Sequence, residues 1–178
     1  MLSASQIAPL RKLSDDYDLT EELKRELRNA WEVRKPFYLT RAELERIFKW
    51  KLRLQYGRQA ALRASTTDRI YQIVTRAAFE IRRDNWPYEA TVRLGILTAL
   101  PGVGVPVASA ILALTQPDRY CVIDFRGWRA VFGVDRRSFT VAQYLEYVRQ
   151  VRRLAHELGW AVQEVDLALW EYDRRMNP

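Results

Sequence analysis

Leu100-Pro101-Gly102-Val103-Gly104-Val105-Pro106-Val107-Ala108 is the stretch whose reading decides the fold. Two glycines two residues apart open backbone conformations that a side chain resists, and they let main-chain N–H groups come close to an anion. The bend runs directly into a helix beginning at Val105. The free N–H groups and dipole of a helix start favour phosphate. Ala108 is small enough for the flanking helices to approach closely, and Val103 supplies an apolar plug beneath the turn. Such a bend holds a sugar–phosphate backbone without reading its sequence. The plain alternative is an ordinary turn between two helices.

Outward from the bend, the chain reads as helices. Pro87 opens a helix that runs to about Ala99, and Val105 to Thr115 forms the next, ended by Pro117. Cys121, Val122 and Ile123 make a short apolar link, and Asp124 starts a short helix ending near Gly133. Thr140 opens a long helix stopped by Gly159, and Val162 to Arg175 is the last. Toward the N-terminus, Asp18 with Glu21 and Thr40 with Glu43 have the spacing of capping boxes, giving helices over Leu19–Arg34 and Arg41–Gln55. Between Thr66 and Arg83 the residues Ile70, Ile73, Val74, Ala77, Ala78 and Ile81 keep the three-and-four spacing of one buried face. Arg69, Arg76 and Arg83 recur every seven residues as a second stripe, either solvated or set against phosphates. No segment sustains period-two alternation, so the fold class expected is all-α.

Composition narrows the functions. The chain has 178 residues, 48% of them hydrophobic, enough for one full core. The best apolar run, Val103 to Leu114, is broken by Gly104 and Pro106 and is well short of the ~20 residues of a spanning helix. No charged start followed by a long apolar stretch marks the N-terminus, so the expected location is cytoplasmic, on a nucleoid or in a nucleus according to the host. A single cysteine, Cys121, excludes an internal disulfide and a four-cysteine iron–sulfur or zinc site, and a single histidine excludes zinc held by Cys and His ligands. The formal charge is +7 and is unevenly spread. Met1 to Glu45 holds eight basic and nine acidic side chains, whereas Arg46 to Arg83 holds ten basic and two acidic. A locally basic stretch attracts a polyanion, and nucleic acid is the default one.

The bend, followed by Asp124 twenty residues after Gly104 within Val122-Ile123-Asp124-Phe125-Arg126-Gly127-Trp128-Arg129, resembles the helix-hairpin-helix DNA glycosylase superfamily (HhH-GPD type). The resemblance is best from Leu94 to Phe132; the final helix, with Leu167, Leu169 and Trp170, is compatible with it. It implies a two-lobed helical unit over residues 1–178, with the hairpin and Asp124 in a lobe of about 85–140. The second lobe combines 1–84 with 141–178. It implies a monomer that binds duplex DNA with a flipped nucleotide and removes a damaged or modified base in base excision repair. Asp124 would stabilise positive charge at the sugar carbon while water attacks. Leu100, Pro101, Gly102, Val103, Gly104 and Val105 would hold the strand, with Arg126, Arg129, Arg69, Arg76 and Arg83 on its flanks. No cofactor is implied beyond a structural Na+ or K+ at the hairpin carbonyls of residues 99–104.

The chain also departs from that pattern. Members that cleave the strand carry a lysine two positions after the last hairpin glycine, where it forms a Schiff base. Pro106 stands there, so conventional lyase chemistry is not expected. Phe125 and Arg126 replace the polar pair that often follows the aspartate. Lys51 falls between Leu44, Ile47 and Phe48 on an apolar face. Its stem is expected to pack while its amine reaches water near the helix end, the alternative being a desolvated, nucleophilic amine. Trp50 and Trp128 are candidate walls for a flipped base, and Asp124 alternatively serves only as a helix cap. A protein that keeps the grip and has lost the chemistry, sensing damaged or unusual DNA, is the competing reading; a helical scaffold with an incidental turn is the third.

Overall fold

The structure, a computed structural model, describes residues 2–14 and 17–177. It is helical throughout, with no strand among the described residues. In chain order the helices are α1 (Ala4–Ile7), α2 (Tyr17–Val33), α3 (Arg41–Leu52), α4 (Ala60–Ala64), α5 (Asp68–Glu80), α6 (Trp86–Leu97), α7 (Val105–Thr115), α8 (Phe125–Phe132), α9 (Val141–Leu158) and α10 (Val162–Met176), with 3-10 turns at Ala8–Leu10 and Arg53–Gln59. No helix is long and apolar enough to cross a membrane.

Helix α7 is the axis. Every residue from Val107 to Thr115 is buried, so it has no polar face to turn to water and must be wrapped on all sides. Helices α2, α3 and α6 pack against it, α8 lies on α10, and α5 lies on α6. The buried apolar residues from Ile7 to Leu169 join in one continuous cluster.

Local signals fix most of the ends. Thr40 accepts the Glu43 N–H at 3.3 Å while Glu43 accepts the Thr40 N–H at 2.7 Å, the reciprocal cap expected for α3. Asn85 caps α6 through the Tyr88 N–H, and Pro87 sits in its first turn. Gly133 and Gly159 take left-handed conformations at the ends of α8 and α9. Three expectations are corrected. Asp18 lies inside the first turn of α2 instead of capping it. Helix α3 stops at Leu52, because Arg53 adopts a positive φ of 47° and the chain tightens into 3-10 turns up to Gln59. In α5 the buried residues are Tyr71, Thr75, Ala78 and Phe79, while Ile70 and Ile73 stay 44% and 56% exposed. Phe79 packs against Phe37 at 4.9 Å between ring centroids and Tyr71 lies near Phe48 at 6.4 Å, so the bulk of two aromatics turns the helix away from the face that its isoleucines marked.

A buried charged network joins α5, α6 and the link after α7. Glu89 and Arg93 are each 1% exposed and 3.4 Å apart. Glu89 also accepts from the Arg83 N–H at 2.8 Å and from Tyr120 Oη at 2.9 Å, while Arg93 donates to the Ile81 carbonyl and to Gln116. Removing one partner of such a pair strands the other charge away from water. Glu89→Ala is therefore expected to lower unfolding stability by roughly 3–5 kcal/mol, read from urea denaturation.

Candidate functional site

The bend between α6 and α7 has the geometry of a type II turn. The Val103 N–H donates to the Leu100 carbonyl at 3.0 Å, Pro101 is at the first corner, and Gly102 has φ +77° at the second. Leu100 and Val103 point inward, 2% and 5% exposed, and Ala108 is fully buried between the helices. Among the described residues, no protein acceptor meets the N–H groups of Gly102, Gly104 or Val105. The Leu100 and Gly104 carbonyls already accept internal N–H groups, so a Na+ or K+ at the hairpin would be left with Ala99, Pro101, Gly102 and Val103. No group of three or more His, Cys, Asp or Glu side chains with metal-binding geometry occurs among the described residues.

Asp124 is tied to the helix that this bend starts. The N–H of Ile123 donates to Ser109 Oγ at 3.1 Å, and Ser109 Oγ donates to the Pro106 carbonyl at 2.8 Å. Asp124 caps α8, with Oδ1 accepting the Gly127 N–H at 2.9 Å. Its other oxygen, Oδ2, meets Lys51 Nζ at 3.2 Å. The Lys51 side chain is 10% exposed and that of Asp124 is 24%, so the amine is largely shielded and the carboxylate keeps partial access to solvent. The amine of Lys51 thus ends on a carboxylate 73 residues away instead of reaching water alone.

Beneath the pair lies Asp166 of α10. Its Oδ1 accepts from Tyr147 Oη at 2.8 Å and its Oδ2 accepts the Val122 N–H at 3.0 Å. Burial, and then the charge of Asp124, push the Asp166 carboxyl up to about 7, and burial drives the Tyr147 hydroxyl well up from its ordinary value. Gly127 is obligatory here, since a Cβ would overlap the Tyr147 hydroxyl. Four residues beyond Asp166, the half-buried Trp170 carries Arg53 at 5.0 Å and Arg126 at 5.5 Å from its ring centroid. Arg174 adds a third guanidinium at 6.0 Å; Arg53 and Arg126 each stand two positions beyond a member of the Lys51–Asp124 pair.

Comparison with family models, with curated proteins and with solved structures gives no match. What speaks for function is therefore the geometry of the residues themselves.

The other predicted site residues are scattered. Arg126 and Arg129 bind Asp173, itself 1% exposed, at 3.1 Å and 2.7 Å. Arg69, Arg76 and Arg83 are exposed along α5 and beyond, with Arg76 bridged to Glu80 at 2.8 Å. Trp128 is a core residue, packed on Phe132 and Phe139, and so offers no open face to a base. Trp50 donates its indole N–H to Thr20 at 2.9 Å, which fastens α3 to α2. Two cavities lie elsewhere, one of about 200 Å³ walled by Trp31, Phe37 and Phe79 and a groove of about 580 Å³ along Arg129, Phe132 and Tyr172; neither is lined by Lys51 or Asp124. Ser109, Tyr147, Asp166 and Gly127 escaped the sequence reading. The only signal for Asp166 is a carboxylate between Val165, Ala168 and Leu169 on an otherwise apolar face.

The raised Asp166 carboxyl sets a direction for stability. Between about pH 4 and pH 7 the unfolded chain gives up this proton and the folded chain keeps it, so folding loses stability as pH rises through that window. Asp166→Asn removes the effect. The stability of the variant relative to wild type is expected to improve from pH 4 to pH 8, by at most roughly 4 kcal/mol, in paired denaturant titrations. Gly127→Ala is expected to cost about 1–3 kcal/mol in the same assay, as Tyr147 is forced off Asp166.

Proposed function

We propose that this chain grips duplex DNA through its hairpin and hydrolyses the N-glycosidic bond of a damaged or modified base, with Asp124 as the catalytic carboxylate. The observation that carries the reading is the placement of Asp124: fixed by its helix cap, tied through Ser109 to the first turn of the hairpin helix, and still partly open to solvent. A strand held by the amides of Gly102, Gly104 and Val105 runs past that carboxylate.

In this reading the fold is the two-lobed, glycosylase-like one, and the Lys51–Asp124 contact lies on the seam between the lobes. The nucleotide turns out of the duplex toward the partly exposed carboxylate of Asp124. As the bond to the base breaks, the sugar carbon gains positive charge. A carboxylate in a shielded site stabilises that charge far better than water does. Water adds to the sugar carbon and leaves an abasic site. Arg53 and the surrounding basic stretch supply the salt-sensitive attraction to phosphate.

Asp124→Asn tests this directly, because asparagine keeps the cap on Gly127 while removing the charge. Against a panel of duplexes carrying deaminated, alkylated, oxidised or mismatched bases, the wild-type protein is expected to release free base. The variant is expected to be slower by roughly a hundredfold or more with its salt-dependent DNA binding retained. Binding without release across the panel would leave a DNA-sensing module. Absence of salt-dependent binding would leave a scaffold.

A further inference from the structure

We propose that the outer face of α5 is a dimer interface, on which a second copy of this chain lays its own α5 antiparallel about a two-fold axis between Ile73 and Val74. The inference stands apart from the glycosylase reading, since it uses neither the hairpin nor Asp124. It replaces the monomer that the family resemblance implies.

Helix α5 carries two apolar faces, and the fold covers one of them. Tyr71, Thr75, Ala78 and Phe79 are buried against the rest of the chain. On the other side Ile70 and Ile73 stand one turn apart, 44% and 56% exposed, and Val74 and Ala77 are only half-buried. These four residues keep the spacing of three, four and seven that marks one stripe of a helix. Single exposed apolar side chains are ordinary on a protein surface, whereas a row of them along one helix marks a contact face.

The charges beside the stripe select a second copy as the occupant. Arg69, Ile73, Arg76 and Glu80 follow one another at three and four residues along one edge. Arg76 is bridged to Glu80 at 2.8 Å, while Arg69 has no ion-pair partner among the described residues. Asp68, the acid next to Arg69, is turned to the Arg41 N–H at 2.6 Å, so the edge begins on a base and ends on an acid. A partner of one sign meets repulsion at one of those ends. A two-fold axis instead sets this edge against the same edge of the other copy with its direction reversed. With the axis between Ile73 and Val74, Ile73 faces Val74 and the large Ile70 faces the small Ala77, twice over. Arg69 then falls opposite position 78, about 3 Å along the helix from the partner's Glu80 and within reach of its carboxylate. A contact of one helix from each copy is small, so the dimer is weak and its subunits exchange. The apolar stripe supplies the attraction, and the two Arg69–Glu80 pairs set the register.

Analytical ultracentrifugation of the full chain, without DNA, from low to high micromolar concentration tests this. The wild-type protein is expected to show a reversible monomer–dimer equilibrium. Ile73→Glu places two charges at the centre of the stripe and is expected to leave a monomer with the wild-type helical circular dichroism. Arg69→Glu and Glu80→Arg each set like charges against one another across the two-fold, and each alone is expected to weaken association by roughly tenfold or more. Mixed in equal amounts, these two single variants present opposite charges at both contacts. Association between them is expected to return to within about threefold of wild type, an outcome that a role for either residue within one chain does not produce. A wild-type chain that stays monomeric throughout overturns the inference, whatever else binds this face. Association that survives Ile73→Glu, or that mixing fails to restore, overturns it as well. None of these results bears on base release, which is read separately.

Discussion

A helix with no polar face dictates how everything around it is arranged. Helix α7 is buried on all sides from Val107 to Thr115, its two hydroxyls at Ser109 and Thr115 bonded to its own carbonyls, and the free energy of covering its apolar side chains, roughly 1.5–3 kcal/mol for each large one removed from water, brings α2, α3 and α6 onto it. Charged groups that have to lie close to this axis therefore need partners. The Glu89–Arg93–Tyr120 network answers that need beyond its C-terminal end, and the Lys51–Asp124–Asp166 cluster answers it beside its N-terminal half. The position of the site follows from the wrapping: α3 has to meet α7, and Lys51 comes with it.

The cluster holds one amine and two carboxylates in a volume where a second negative charge is costly. Asp166 resolves the conflict by keeping its proton to about pH 7, with burial as the main cause and the neighbouring Asp124 as the next. The carboxylate in direct contact with Lys51 is Asp124, at 3.2 Å. Division of labour between two nearby carboxyls arises here from environment alone, since the two residues are chemically identical. Tyr147 and the Val122 amide fix the buried carboxyl, and the missing side chain at Gly127 leaves room for that arrangement.

Features encoded within a few residues were legible before any coordinates. The turn at Leu100–Gly104, the caps at Thr40 and Thr140, the stops at Gly133 and Gly159, and the all-helical class all follow from local backbone chemistry. Asp124 and Lys51 were each picked out singly, one by its place after the hairpin and one by its place on an apolar face. Their meeting was not legible, because it depends on how α3 lies across α7, which no local pattern specifies. The face of α5 was misjudged for a related reason: spacing alone ranks Ile70 and Ile73 as core, whereas the stacking of Phe79 on Phe37 and the burial of Tyr71 turn the helix elsewhere. Trp128 was misjudged in the same way, since an indole is walled in by neighbours that spacing does not reveal, here Phe132 and Phe139.

Pro106 has a consequence for how such a protein varies. With a proline in its first turn, the helix that follows the bend carries no amine there, and Lys51 meets Asp124 from α3, far earlier in the chain. In the reading proposed above, holding the strand and acting on it would thereby fall to separate segments of the polypeptide. Substitutions in the bend would then retune the hold without touching the charged pair, and the pair would change without loosening the bend.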